Sequence, residues 1–310
     1  MELQRVPNHG FRHQEQIGPS GAGLTVSAHL QVRYPRASGD EWRERIRSGQ
    51  VLLDGQLAAG DEILRAGQWL TWDRPPWIEP EVPLATAILY EDEDLLAVAK
   101  PSGLPTLPGG GEFLEHTLLA LVRHRAPEAS PMHRLGRCTS GLVLFAPTAG
   151  ARTPLQATFQ APRTRKVYRA LCGGHPAQDD FEITAPIGEV PYGPLGSLHA
   201  ATAGGRASCS RVTVLERRAD ATLLDVEIFT GRPHQIRIHL ASVGHPLVGD
   251  PLYGPGGTPI PGTTALPGDP GYLLHAQRLE LEHPRTGAWL TLECQPPPLL
   301  RMSGKDDLTG

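Results

Sequence analysis

Residues 222–228 alternate between apolar and polar side chains, which is the period-two pattern of a strand with one buried face. After this strand the apolar positions change to a helical spacing of three and four residues. Pro233 is expected in the first turn of the helix, because proline fits a position whose N–H needs no partner. His234 and Arg237 then share the face opposite the apolar stripe. The pattern predicts a strand, a turn and a helix with a basic face.

The hydrophobic pattern elsewhere predicts a mixed α/β fold. The unbroken apolar run at residues 142–146 indicates a strand that is buried on both faces. Short helices are predicted at residues 118–122 and 153–160. Further strands are predicted within residues 165–174, 206–218, 272–283 and 288–294. The 35 glycines and 31 prolines add many turns, which disfavours a helix-only fold.

The first quarter of the chain has its own pattern. Ser38 or Asp40 is placed to cap a helix that runs to Ile46, and Asp54 with Gly55 forms a hairpin-turn pair. This order of elements resembles a degenerate S4-like RNA-binding module, although nine basic and nine acidic residues between positions 1 and 75 also allow a purely structural role. The predicted organisation is a flexible leader at 1–22, the S4-like module at 23–75, a Pro-rich linker at 76–85, the main domain at 86–300 and a disordered tail at 301–310.

Composition and charge narrow the functional classes. Residues 129–178 contain seven basic residues and no acidic residue, although the net charge of the chain is −4. This distribution predicts a polarised molecule with one basic region that is able to attract a polyanion. The four cysteines form no C-x-x-C pair, which indicates reduced thiols and no zinc ribbon. No apolar run of about 18 residues and no signal-peptide core is present, so a cytoplasmic location without a membrane anchor is expected.

Long ordered motifs give the chain a family resemblance. TGRPHQIRIHLASVGHPLVGDPLYG, at residues 230–254, resembles the C-terminal motif of the RluA-type RNA pseudouridine synthases. PMHRLGRCTSGLVLFA, at residues 131–146, resembles the central motif of this family, and Lys100 with Pro101 matches its first loop. The resemblance covers residues 86–298. It implies a bent, largely antiparallel sheet with flanking helices and a basic cleft.

The same resemblance implies roles for single residues. Tyr168 matches the active-site aromatic residue, and Arg237 matches the basic residue that pairs with the catalytic aspartate. The position of that aspartate is occupied here by Gly136. The residues expected to contact RNA are Lys100, His133, Arg134, Arg232, His234 and Gln235.

The implied reaction is the isomerisation of uridine to pseudouridine in structured RNA, rRNA or tRNA, without cofactor or metal. Because Gly136 supplies no charge and no proton, two interpretations stay open. Another group, for which Asp250 is one candidate, replaces the carboxylate, or the chain binds RNA without catalysis. Arg237, without the motif aspartate, is expected to bind RNA phosphate, a second carboxylate or solvent. A carboxylate near Tyr168 and Arg237 would favour the enzyme. The sequence leaves the oligomeric state open.

Overall fold

The computed structural model describes residues 6–35, 37–109 and 111–304. The chain divides into two compact units, Met1–Pro80 and Glu81–Gly310. Within the described residues no helix is long and apolar enough to span a membrane.

The N-terminal unit packs two helices against a four-stranded sheet with the order β1-β4-β2-β3. Ser38 caps the second helix in a capping box with Glu41. Asp54 and Gly55 both have positive φ, which is the geometry of a tight hairpin turn. The elements are β1 (Phe11–Gln16), α1 (Val26–Arg33), α2 (Gly39–Arg47), β2 (Val51–Leu53), β3 (Gln56–Leu57) and β4 (Trp69–Arg74).

Three predicted boundaries need correction. The leader is not flexible throughout, because Phe11–Gln16 pairs with β4 along its whole length. In the predicted linker, the Asn8 amide donates to the buried carboxylate of Glu79 at 2.7 Å, so Glu79 packs with the N-terminal unit. At the other end, Ser303 donates to Glu216, so part of the predicted tail is held against the main unit. Residues 1–5 and 305–310 lie outside the described residues.

The main unit is built on a ten-stranded sheet with the path β10-β13-β14-β9-β17-β8-β6-β5, to which β18 and β7 add at β17 and β8. Among the strand pairs of the described residues, β17–β8 alone is parallel. The strands of the sheet are β5 (Ala87–Glu91), β6 (Leu96–Lys100), β7 (Ser130–Pro131), β8 (Ser140–Ala146), β9 (Arg165–Gly173), β10 (Asp180–Ile183), β13 (Ser210–Arg217), β14 (Ala221–Ile228), β17 (Leu274–Glu282) and β18 (Trp289–Glu293). This confirms the predicted mixed α/β fold with a largely antiparallel sheet.

Helices and two hairpins complete the main unit. They are α3 (Leu118–Arg125), α4 (Ala149–Gln160), α5 (Gln235–Ser242), β11 (Ile187–Tyr192) with β12 (Gly196–Ala201), and β15 (Tyr253–Gly254) with β16 (Thr258–Pro259). A short 3-10 turn, Pro298–Leu300, follows β18. Leu142 and Leu144 of β8 pack with α4, whereas Val143 and Phe145 pack with α3. Because α3 and α4 cover opposite faces of β8, every residue of the strand is buried.

Helix α5 differs from the prediction at its start and in its burial. His234, with φ 55°, precedes the first helical residue, so Pro233 lies outside the helix. Gln235–Ala241 are all buried, because one side of α5 packs with β9 and β14 and the other packs with the β11–β12 hairpin and Tyr253. The helix has no solvent-exposed basic face, and Arg237 points into the protein.

We expect truncation of β8 to be costly for the main unit. Leu144 is fully buried in the cluster that joins β8 to α4, so Leu144→Ala should lower the free energy of unfolding by about 2–5 kcal/mol. The matched control is Leu84→Ala, because Leu84 is 49% exposed and its truncation should cost less than about 1 kcal/mol. Urea denaturation of both variants measures the difference, and equal losses would contradict this account of the core.

Candidate active site

Lys100, at the end of β6, holds the loop that carries Gly136. The Lys100 ammonium donates to the carbonyl oxygens of Pro101, Leu104 and Arg137 at 3.0, 2.7 and 3.0 Å. Its side chain is 2% exposed, and burial lowers its pKa to about 7. Lys100 therefore holds two loops together, and its buried ammonium argues against the RNA contact that was predicted for it.

Arg237 and Asp250 form a buried, bidentate ion pair. Nε and Nη2 of Arg237 donate to the two carboxylate oxygens of Asp250, each at 2.7 Å, and the side chains are 3% and 1% exposed. Nη1 donates to the carbonyl of Pro267 at 2.8 Å. Asp250 also accepts from the backbone N–H groups of Leu252 and Tyr253. Of the three partners expected for Arg237, the structure therefore shows the second carboxylate. Both oxygens of this carboxylate, Asp250, accept hydrogen bonds.

Gly136 lies beside a tyrosine that the sequence analysis did not single out. A Cβ atom on Gly136 would lie 2.9 Å from the hydroxyl of Tyr272 and 3.5 Å from the hydroxyl of Thr139. These two hydroxyl groups are 3.3 Å apart. The Arg237 guanidinium lies 4.1 Å from the centre of the Tyr272 ring. Gly136, Thr139, Arg237 and Tyr272 thus form one cluster, which we call the Gly136 cluster.

Two glycines bring the loops of this cluster together. A Cβ on Gly249 would lie 2.4 Å from the carbonyl oxygen of Gly271, and a Cβ on Gly271 would lie 2.2 Å from that of Gly249. Both residues have positive φ. Only glycine permits this approach, which places Asp250 and Tyr272, the next residues in each segment, around Arg237.

Tyr168 lies on β9 and pairs in register with Val226 of β14 and Ala276 of β17. Its hydroxyl makes no hydrogen bond among the described residues, and burial raises its pKa to about 12. It borders a small cavity of about 20 Å³ together with His133, Phe159, Lys166 and Arg278. No carboxylate of the described chain bonds to Tyr168, in contrast to Arg237.

Two residues predicted to contact RNA have structural partners instead. Nε2 of His133 accepts from the N–H of Leu144, and burial together with the charge of Lys166 lowers the His133 pKa to about 3. Gln235 is buried; its side-chain amide donates to the carbonyl of Cys209 and accepts from the N–H of Arg232. Neither side chain is free for RNA, because each satisfies backbone groups near the site.

The other predicted RNA contacts are more accessible. Arg134 is exposed and makes no hydrogen bond or ion pair in the described part of the chain. Arg232 is half-buried, and its guanidinium donates to the carbonyl of Ala207. Nδ1 of His234 bonds to the Tyr253 hydroxyl at 2.7 Å, and burial lowers the His234 pKa to about 3. These residues remain predicted contacts.

Three of the seven basic residues in 129–178 are paired with carboxylates in the fold. Arg163 pairs with Glu282, Arg165 with Glu227 and Glu280, and Arg169 with Asp225. The arginines that flank Gly136, Arg134 and Arg137, form no ion pair with a carboxylate of the described residues. The side chain of Arg137 donates to the carbonyl of Gly268 instead. Positive charge without a carboxylate partner is therefore found on the loop of Gly136.

A group of possible metal ligands, Asp92, Asp94 and His283, lies at the opposite ends of β6 and β17 from Lys100 and Tyr272. Nδ1 of His283 accepts from the N–H groups of Arg285 and Thr286, and Nε2 is bonded to Asp92 at 2.9 Å. Both ring nitrogens are engaged, so the group ties the β5–β6 turn to the turn after β17.

Similarity to known proteins identifies the class of enzyme. Residues 94–242 match the family model described as RNA pseudouridylate synthase. An uncharacterized RNA pseudouridine synthase of Synechocystis sp. is 46% identical over 270 residues, covering 86% of this chain and 92% of that protein. Ribosomal large subunit pseudouridine synthase D of Pseudomonas aeruginosa is 34% identical, covering 86% of each chain. The solved structure of human RNA pseudouridylate synthase domain containing 1 has a TM-score of 0.56 at 26% identity, covering 72% of this chain and 87% of that one.

The chain belongs to the RluA-type family of RNA pseudouridine synthases. It is an isomerase of the class that converts uridine in RNA to pseudouridine.

We expect Asp250→Asn to destabilise the main unit, because it leaves the buried Arg237 without a counter-charge. The expected loss is about 3–5 kcal/mol in the free energy of unfolding. Asp225→Asn is the matched control, since Asp225 is 27% exposed in its pair with Arg169 and should cost less. The double variant Asp250→Asn/Arg237→Met should recover part of the loss. Equal losses for the two single variants in urea denaturation would argue against this pair as the organising contact.

We also expect Lys100 to give stability a pH dependence. Its pKa of about 7 in the folded protein lies below the value near 10.4 of unfolded lysine. Between these values the unfolded chain binds more protons, so stability rises with pH by up to about 1.4 kcal/mol per unit. Comparing urea denaturation at pH 7, 8 and 9 for the wild type and Lys100→Met should show this rise in the wild type alone. Parallel curves would contradict the assignment.

Proposed function

We propose that the chain isomerises specific uridines of structured RNA, and that the target nucleotide binds over Gly136. The observation that carries this proposal is the position of the cations. Arg134 and Arg137 flank an exposed glycine and have no carboxylate partner in the described residues, whereas the arginines of β9 are paired with acids. Unpaired arginines are suited to RNA phosphates, which fix the position of the strand without reading its sequence.

Tyr168 is the residue that we propose to hold the target base. It is a half-buried aromatic side chain whose hydroxyl makes no hydrogen bond among the described residues. An unstacked base extracted from RNA binds well to an aromatic face. The sheet fixes Tyr168 between β14 and β17. Strand β17 begins two residues after Tyr272 of the Gly136 cluster.

The substrate that we propose first is large-subunit rRNA, with tRNA as the alternative. The support is the name of several relatives, ribosomal large subunit pseudouridine synthase D, at 31–38% identity. The four cysteines are free, which suits work in a reducing compartment such as the cytoplasm. The N-terminal unit offers little positive charge to RNA, because Arg33, Arg43 and Arg47 pair with acidic residues of the same unit.

A second candidate function is RNA binding without catalysis, and Gly136 is the observation that favours it. Asp250 cannot replace the motif aspartate as a reacting group, since its oxygens are occupied and its side chain is 1% exposed. A site that keeps its cations and lacks a reactive carboxylate would still bind RNA.

Mapping of pseudouridine at single-nucleotide resolution in cells with and without the gene separates these functions. Loss of a site in large-subunit rRNA that the unaltered gene restores would support the first proposal, and loss of a tRNA site would support its alternative. An unchanged map, together with RNA bound to the purified protein, would establish the non-catalytic function.

Arg134→Ala should weaken RNA binding without changing the fold, because the guanidinium is exposed and makes no hydrogen bond or ion pair with the described residues. The expected result is a slope of log K against log salt that is smaller by about 1. Arg152→Ala is the matched control, since Arg152 is an exposed arginine on α4. Fluorescence anisotropy with an rRNA transcript at several salt concentrations measures both variants, and identical slopes for wild type and Arg134→Ala would remove Arg134 from the interface.

A further inference from the structure

The functional group nearest to the missing side chain of residue 136 is the Tyr272 hydroxyl. It lies 2.9 Å from the position that a Cβ of residue 136 would take. Gly136 is exposed, whereas Tyr272 is 4% exposed. The buried hydroxyl thus adjoins the exposed backbone of Gly136, and a side chain at position 136 would lie against it.

The surroundings of Tyr272 hold its hydroxyl in one place. Thr139 bonds to it at 3.3 Å, and the guanidinium of Arg237 lies against the ring at 4.1 Å from its centre. Arg237 is itself fixed by Asp250 and by the carbonyl of Pro267. A side chain held by packing and by fixed neighbours is preorganised for proton transfer.

The charges around Tyr272 determine which form it takes. Burial raises its pKa, and the charge of Arg237 and the Thr139 hydrogen bond oppose that effect. The other titratable groups that face it are Cys138 and Asp250, both of which raise the pKa. At neutral pH the group is therefore a phenol, and Arg237 stabilises the phenolate whenever the proton leaves.

We propose that Tyr272 is the catalytic proton-transfer residue of this chain, acting first as an acid and then as a base on the target uridine. The proposal rests on the proposed function, in which that uridine binds over Gly136. It makes Gly136 part of the active arrangement, because the absent side chain gives the substrate access to the hydroxyl.

The Tyr272 hydroxyl both donates and accepts the proton that the reaction moves. As the bond between N1 and C1′ breaks, its electron pair stays with uracil and the phenol proton passes to the departing base. The phenolate, beside Arg237, then faces the cationic ribose carbon. After the base turns, C5 supplies the electron pair of the new bond to C1′, and the phenolate accepts the C5 proton. The net change moves one proton from carbon to nitrogen and regenerates the phenol.

Two variants test the proposal from opposite sides. Tyr272→Phe removes the hydroxyl and should lower kcat by about 100-fold or more, with RNA affinity within twofold of the wild type. Gly136→Ala keeps the phenol group but puts a methyl group 2.9 Å from the present position of its oxygen. One of the two must shift, so this variant should lower kcat in the same way. Tyr192→Phe is the control, because the Tyr192 hydroxyl only donates to the carbonyls of Thr263 and Ala265. Its kcat should remain within twofold.

The measured quantity is tritium release from an in vitro transcript of large-subunit rRNA, or of tRNA, that carries uridine tritiated at C5. No release by the wild type from either transcript would overturn the proposed function. Release by the wild type and by Tyr272→Phe at equal kcat would overturn the role of Tyr272 alone. Thermal midpoints within a few degrees of the wild type separate loss of chemistry from loss of folding.

A fluorinated tyrosine at position 272 gives a readout that a structural role would not change. The ring fluorine makes the phenol more acidic, so the fall in kcat at alkaline pH should begin at a lower pH than in the wild type. Titration of Lys100, with its pKa of about 7, is common to both proteins and cancels in the comparison. An alkaline limb at the same pH in both would contradict proton transfer by Tyr272.

Discussion

The buried pair of Arg237 and Asp250 is the contact on which the site depends. A guanidinium that is 3% exposed is tolerable only if its charge and its N–H groups are satisfied. Asp250 supplies two oxygens and Pro267 a carbonyl, so the loop after α5 and the segment before β17 must both close over the helix. This closure also places Tyr272 against the guanidinium. One electrostatic requirement thereby brings together residues that are far apart in the sequence.

A second constraint comes from the joining of the two halves of the sheet. The strands β5, β6 and β8 meet β9, β13 and β14 through β17, whose pairing with β8 is parallel. Gly136 and Thr139 precede β8, and Tyr272 precedes β17. Because neighbouring parallel strands start at the same edge, the segments before them are adjacent there. The buried Lys100, at the end of β6, fixes the loop of Gly136 from the opposite side.

The distribution of charge follows from the same architecture. Antiparallel neighbours place Arg165 of β9 opposite Glu280 of β17 and Arg169 opposite Asp225 of β14. Arg165 also reaches Glu227, which lies diagonally from it on β14. Cross-strand pairs of this kind stabilise the sheet and remove net charge from it. Arg134 and Arg137, which lie outside the strands, have no acidic partner among the described residues, and their loop carries Gly136.

Periodicity and motif spacing by themselves determined the family, the mixed α/β fold and most of the strands. Residues 142–146 were predicted correctly because their composition depends on burial of both faces, which is a local property of the sequence. Arg237 was recognised because it belongs to a long ordered motif, which is also a local property of the sequence. Only the tertiary structure decided that Lys100, His133 and Gln235 are occupied by backbone partners, that Asp250 is the counter-ion of Arg237, and that Tyr272 lies beside Gly136. These facts depend on contacts between segments up to 136 residues apart, and a one-dimensional pattern carries no information about which distant groups meet.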